Sequence, residues 1–321
     1  MNLLRMGSLA LLTMVMFVLA ACGGSGTTSA VPQNAMAQSQ PHQMSGSSGD
    51  LLYVGAGVNR VFVLSYPEGK LVGRLSISSR PWGLCSDTDG NVFVTEDSGA
   101  VVEYAHGGTS PINALGARGA FSCSWDPSTG NLAVVELPYS IAIFRGAKGT
   151  SQIYTDSNFL HFNYCAYDDK GNLFVTGEPQ GPYNYTLAEL DTASGTFKTI
   201  TLNRRVEFLD DLQWDGKYIA IDDFYYTGTI YRVQVSGSSG TIEGTTSLGD
   251  AQFFGFWTWL QDGTLISPIY TGSHFDKQID FWSYPAGGTP TKELPRTDFK
   301  APGPIRGITV SVAPTGMRIH K

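Results

Sequence analysis

Four acids recur at one position of a repeated pattern and are the side chains best placed to do chemistry: Glu96, Glu136, Glu178 and Asp222. They stand at or next to the end of the apolar runs NVFVTE, NLAVVE, NLFVTGE and KYIAIDD. Arg80, Trp82, Arg118, Phe121, His161, Phe162, Arg204, Arg205, Asp210 and Asp211 lead into the preceding runs. Together these make a polar rim with aromatic walls, the usual composition of a ligand site. The expected ligand face is therefore Trp82, Glu96, Glu136, Glu178 and Asp222. The repetition itself favours a second role, in which each acid accepts turn amides within its own unit. Of the five histidines, His106 falls in an outer turn, His42 in a polar segment and His320 in the tail. That leaves His161 and His274, with Asp276 close to His274, as candidates for a general acid or base. The sequence has neither a Gly-x-Ser-x-Gly elbow nor a Cys-x-x-Cys spacing.

The element that must position these groups is clearest at 81–97, PWGLCSDTDGNVFVTED. It reads as a strand, a tight turn at Asp87 to Asn91, a second strand and an acidic exit. Turn glycines recur at Gly90, Gly130, Gly171, Gly216 and Gly263, separated by 40, 41, 45 and 47 residues. Each unit adds two further strands around another glycine turn. Four strands in about 40 to 45 residues is the pattern of a propeller blade. The chain begins with an orphan second strand at Leu51 to Val54 and ends with an orphan first strand at Ile305 to Val312. Pairing them would complete one blade and remove an exposed sheet edge. The expectation is an all-β, six-bladed β-propeller, with blades at 305–316 with 51–77, then 82–116, 121–157, 162–202, 208–248 and 253–295.

The run P-x-G-L-x-x-D-x-D-G-N-V-F-V-T-E resembles the repeat of NHL and streptogramin-lyase-like propellers, grouped with the SMP-30/gluconolactonase-like six-bladed proteins. The resemblance covers the whole domain blade by blade. It implies a site at the channel mouth, where loops leaving second strands meet loops entering the next blade. In the gluconolactonase-like family, Asn and Asp at the start of successive inner strands hold a divalent metal. Asn163 and Asp210 match that pattern, Glu178 or Asp222 could add oxygens, and the cofactor implied is Ca or Mg. The lyase branch adds a histidine beside the metal. This chain departs from the pattern: Trp82 and Phe121 occupy the equivalent positions of the preceding blades, no early Glu ligand can be placed, and the Asn-Asp-Gly substrate motif is absent. One scaffold hosts enzymes and binders alike. The expected function is thus a binding or scaffolding module for a small-molecule or protein ligand, with a metal-dependent lactonase- or lyase-like enzyme as the alternative.

Three cysteines, Cys85, Cys123 and Cys165, lie in expected inner strands, so at most one internal disulfide can form. Cys123 and Cys165 occupy matching positions, whereas Cys85 is offset by one residue and should face the other way. The reading is small buried thiols packed between blades; a Cys123–Cys165 disulfide would need Cα atoms within about 7 Å. Trp125, Trp214, Trp257 and Trp259 also fall in inner strands and read as core.

Residues 1–21 carry Arg5 and the short apolar run Leu9 to Ala21, which suits a secretory signal better than a membrane span. The ending Leu19-Ala20-Ala21-Cys22 resembles a bacterial lipoprotein signal. The resemblance implies a lipid on Cys22, a membrane partner and an extracytoplasmic address, with Gly23 leaning toward an outer membrane where there is one. Residues 22–49 are rich in Gly, Ser, Thr and Gln and read as a flexible tether to a propeller at 50–321. A net charge of −7 with no basic stripe argues against nucleic acid, and a monomer is expected.

Overall fold

A computed structural model describes residues 42–181, 185–206, 208–223, 228–249, 259–271 and 274–317, with side chains at 270–277 left aside. The signal segment, Cys22 and most of the tether lie outside the described residues, as does Trp257.

The first three strands are β1 (Leu51–Ala56), β2 (Arg60–Ser65) and β3 (Leu71–Ser76). A second set holds β4 (Pro81–Ser86), β5 (Val92–Glu96), β6 (Ala100–Tyr104) and β7 (Pro111–Gly116). A third holds β8 (Ala120–Trp125), β9 (Leu132–Glu136), β10 (Ser140–Phe144) and β11 (Gln152–Tyr154). Next come β12 (Phe159–Tyr167), β13 (Leu173–Pro179), β14 (Thr186–Asp191) and β15 (Thr196–Leu202). They are followed by β16 (Leu209–Trp214), β17 (Ile219–Asp223), β18 (Thr229–Ser236) and β19 (Ser239–Ser247). A further set comprises β20 (Trp259–Gln261), β21 (Thr264–Thr271), β22 (His274–Ser283) and β23 (Lys292–Pro295), and β24 (Ile305–Ser311) comes last. Within each set, consecutive strands pair antiparallel. β15 and β19 also touch in parallel at Thr201↔Ser239 and Leu202↔Gly240, joining two sets into one eight-stranded sheet.

The closure expected from the orphan strands is present. β24 pairs antiparallel with β1, from Leu51↔Ser311 to Ala56↔Ile305, giving the sheet order β24-β1-β2-β3. Neither strand could bury its faces alone: Ile305, Ile308 and Val310 are at most 1% exposed, and β1 is buried throughout. A β-propeller closed by its own two ends results.

The turns explain the repeat. Asp87 Oδ1 accepts from the Asp89 and Asn91 amides at 2.9 and 2.7 Å, and Oδ2 accepts from Asn91 Nδ2 at 2.7 Å. Asp168 binds Lys170 and Asn172 in the same way. All five turn glycines hold φ between 72° and 91°, a region closed to most side chains.

The core lies between neighbouring sets of strands. Cys85, Phe93 and Val101 of one set pack with Ala120, Leu132 and Val134 of the next. Inner strands approach closely: a Cβ on Gly83 would lie 2.7 Å from the Phe121 carbonyl oxygen. Thr95 Oγ1 donates to that same oxygen at 2.9 Å, and Thr176 Oγ1 donates to the Asp210 carbonyl at 2.6 Å. A hydroxyl near the end of a second strand thus ties down the next inner strand.

Two expectations change here. The disulfide joins Cys85 to Cys123, with Cα atoms 5.8 Å apart, and Cys165 is free and buried. The reason lies in the pleat. Equivalent positions in adjacent sets point the same way around the ring, so Cys123 and Cys165 each face the preceding set. The one-residue offset turns Cys85 forward, to meet Cys123. Cys165 packs instead beside the Ala133 carbonyl, and burial pushes its thiol up to about 12.

The tether also ends earlier than expected. Residues 42–49 lie on the propeller: Gln43 bridges Gly108, Met44 is 8% exposed, and Ser47 is buried. Met44 fits because Gly73 lacks a side chain; a Cβ there would collide with the Met44 sulfur. His42 is exposed, but its carbonyl accepts from the Thr109 amide and hydroxyl.

Candidate functional site

The expected ligand face does not form as a set of free acids. Glu96 is 1% exposed and accepts from the hydroxyls of Ser78 and Ser79 and from the Ser79 amide at 3.0 Å. Glu136 accepts from the Arg118 amide at 2.8 Å and from Ser140 Oγ at 2.9 Å. Both carboxylates hold the loop that enters their own set of strands, so the structural role suggested by their repetition is the one they fill. Each of these amide–carboxylate bonds contributes about 1 kcal/mol.

Trp82 belongs to a packed stack. Its ring lies 5.3 Å from Phe121, which lies 5.4 Å from Tyr164. The Arg306 and Arg80 guanidinium groups sit 4.5 and 5.8 Å from the Trp82 ring centre. Trp82 Nε1 donates to Asp97 at 3.1 Å. The run spans four neighbouring inner strands, β24, β4, β8 and β12, at their loop-entry ends. Phe162 is fully buried against Phe159 and Phe197 and is core, not a ligand wall.

His161 and Glu178 face each other across β12 and β13, 3.5 Å apart. The fold supplies the acid partner that no nearby residue in sequence offered. His274 opens β22, and its side chain lies outside the described residues.

The sites expected for metal do converge, in part. Asn163 Nδ2 donates to Asp210 Oδ1 at 3.4 Å, and Asp222 Oδ1 accepts from the Asp211 amide at 2.8 Å. Asp210 and Asp222 are 5% and 4% exposed, and each leaves Oδ2 buried with no hydrogen-bond donor among the described residues. Burial raises both carboxyls well above the usual range, and the neighbouring carboxylates raise them further. A buried acid pair of this kind relaxes by keeping a proton or by taking a cation. Among the described residues no three His, Cys, Asp or Glu side chains converge with metal-ligand geometry.

The open space lies elsewhere. A cavity of about 460 Å³ occupies the channel and reaches the turn ends of the inner strands, at Asp87, Thr88, Pro127 and Asp168. Its walls come from β4, β8, β12, β16, β20 and β24 with the residues that follow them. Trp125, Trp214, Trp259, Tyr164 and Tyr167 supply aromatic surface, and Leu84, Leu212, Leu260, Ile308, Val310 and Val312 supply aliphatic surface. Ser86, Ser122, Ser124, Thr88, Gln213 and Gln261 add neutral polar groups. Lys, Arg and His are absent from its described lining; of its acids, Asp87 and Asp168 are committed to their turns, and Asp211 also lines it. Of the expected ligand-face residues, none lines this cavity. Of the tryptophans read as core, Trp125, Trp214 and Trp259 line its wall, and Trp125 also packs against Phe93 at 5.7 Å.

Comparisons with known proteins agree on the fold. No family model matches the sequence, and no curated protein matches it. Among solved structures, a protein of unknown function from Bacteroides caccae is similar over 82% of this chain and 99% of its own, at 13% identity and a TM-score of 0.59. A functionally unknown protein from Desulfotomaculum acetoxidans is similar over 83% and 99%, at 9% identity and a TM-score of 0.56. The β-propeller domain of Cps50 (Swd1) from Myceliophteria thermophila is similar over 79% and 88%, at 8% identity and a TM-score of 0.55. These likenesses establish a shared β-propeller architecture and carry nothing about activity.

Proposed function

We propose that this chain is a lipid-anchored, extracytoplasmic binding propeller of the NHL and SMP-30-like kind, taking a small ligand in its central channel. The observation that carries the reading is the cavity itself. It has the volume of a small-molecule site and a wall mainly of aromatic, aliphatic and neutral polar groups, with Asp87, Asp168 and Asp211 among them. Of the recurrent acids, Glu96, Glu136 and Asp222 each accept a backbone amide, and Glu178 pairs with His161. Two features support the address. Leu19-Ala20-Ala21-Cys22 is a lipoprotein-like ending, and the Cys85–Cys123 disulfide suits an oxidising compartment.

The cavity is tested with a small-molecule panel scored by thermal shift and tryptophan fluorescence. Thr88→Trp and Gln261→Trp, which place bulk at the cavity wall, should abolish any response that the parent gives. Hits unaffected by both substitutions would move the ligand elsewhere. The anchor is tested with Cys22→Ser, which should stop fatty-acid incorporation and leave the precursor unprocessed. Membrane fractionation and labelling equal to the parent would sink it.

The unpartnered oxygens of Asp210 and Asp222 favour one second reading, a metal-dependent lactonase- or lyase-like enzyme. Asp210, Asp222 and Asn163 would hold a Ca or Mg ion, which would act as a Lewis acid. Elemental analysis of the purified domain, with melts in the presence and absence of EDTA, decides between the two.

A further inference from the structure

The eight residues at 42–49 cover a histidine that the proposed function does not use. His106 sits in the turn between β6 and β7 and is 3% exposed. Its Nε2 lies 3.0 Å from the Ser47 carbonyl oxygen and 3.1 Å from that of Gly49. Its Nδ1 lies 2.6 Å from Ser311 Oγ, at the end of the closing strand β24. Ser311 Oγ is also within hydrogen-bond reach of the Gly90 carbonyl, in the turn that carries Asp87 and Thr88 to the cavity rim. One imidazole therefore joins the N-terminal strap, the closing strand and a turn of the channel.

The proton inventory gives this junction two states. Two carbonyl oxygens can only accept, so Nε2 must carry hydrogen while the strap is docked. In the neutral ring Nδ1 is then an acceptor, and the Ser311 hydroxyl donates to it. In the imidazolium Nδ1 donates, and the Ser311 hydroxyl must turn to the Gly90 carbonyl. The titratable groups that face the ring's surroundings are Asp50, where the strap enters β1, and Tyr53, whose hydroxyl accepts from the Gly107 amide at 2.8 Å. Asp50 and the two carbonyls favour the charged ring, but burial outweighs them and holds His106 below its ordinary value. Burial raises Tyr53 to about 12, so it stays neutral.

The rest of the strap is held by short-range contacts that can be released together. The Met44 amide donates to the Gly107 carbonyl at 2.8 Å, the Thr109 amide to the His42 carbonyl at 3.0 Å, and Gln43 Nε2 to the His106 carbonyl at 3.1 Å. Met44 is the one apolar anchor of the segment. Lifting the strap would bring water to the imidazole, where the charged form is no longer penalised.

We propose that residues 42–49 form a pH-sensitive clasp, docked over neutral His106 and released when that ring is protonated. The sign follows from linkage. A histidine held below its ordinary value stabilises docking above about pH 6.5, and the stabilisation is lost as pH falls toward its docked-state value. Release would lengthen the tether by these residues and free Ser311 and the Gly90 turn beside the cavity.

The test uses the full chain with a nitroxide on Ser45→Cys, an exposed strap position. The label should be immobile at pH 7.5 and should gain a mobile component between pH 6.5 and 5, with near-UV dichroism unchanged. His106→Gln keeps a hydrogen-bonding side chain without the titration, and its label should respond several-fold less. Ser311→Ala removes the hydroxyl partner but keeps the ring, so its pH response should persist with a shifted midpoint. A label equally immobile at both pH values overturns the proposal. So does a pH response undiminished in His106→Gln, or mobility that rises only together with loss of the dichroism signal.

Discussion

The two ends of the channel are made from the same repeat, yet among the described residues the space enclosed by the inner strands lies toward the turn end. At the loop-entry end, Glu96 and Glu136 accept from backbone amides and hydroxyls, and Trp82, Phe121 and Tyr164 pack in a row across three strands. At the turn end, Asp87 and Asp168 are equally committed to amides, but the walls stand apart around about 460 Å³. Recurrent carboxylates therefore mark how a blade is built at both ends. At the entry positions Trp82, Phe121 and Tyr164 pack ring against ring, while further along Gly83, Ser122 and Ser124 thin a wall that Trp125, Trp214 and Trp259 also line.

Deleting residue 301 onward should have the largest effect, because β24 serves both ends. It carries Arg306 to the stack and Ile308 and Val310 to the cavity. Several nearly unexposed side chains contribute about 1.5–3 kcal/mol each, and an inner edge would be left bare. The expected outcome is loss of the cooperative melt and aggregation of the whole domain. A truncated domain that melts like the parent would refute closure by β24.

Breaking the Cys85–Cys123 disulfide comes next. It closes a loop with a sequence separation of 38 residues, worth about 4 kcal/mol in the chain-entropy account. Paired Cys85→Ser and Cys123→Ser should lower Tm by on the order of 10 °C. Reduction of the parent should reproduce the shift, and no shift would mean that the wall does not depend on the link.

Glu136→Ala should cost about 1–2 kcal/mol by removing the acceptor of the Arg118 amide and Ser140 hydroxyl, read by denaturant melts. Ligand binding in the channel should be unchanged. A variant of normal stability that loses ligand would return the site to the entry end. The smallest stability effect belongs to Thr88→Trp, at an exposed rim position: within about 0.5 kcal/mol in melts, while binding disappears.

Much of the architecture was legible because it rests on local chemistry. An Asx turn needs Asp and then Gly at fixed offsets, and a strand needs alternation, so DTDGN and its relatives located the strand pairs. The orphan strands at Leu51 and Ile305 gave closure by the same logic. The acids were visible for that reason too, but their purpose was not. A carboxylate at a strand end looks alike whether it meets a ligand or the Arg118 amide.

By itself, then, the sequence determined strand order, turn chemistry and the pairing of the two ends. Only the tertiary structure decided which thiols meet, because the pleat offset that turns Cys85 away from its own repeat turns it toward Cys123 in the next. It also decided that Met44 to Gly49 would dock, since the groove they need exists only once Gly73 and Ser311 of one strand set and His106 of the next have been brought together. The location of the cavity was decided there as well, because the space between the inner strands depends on how far apart the closed ring holds them.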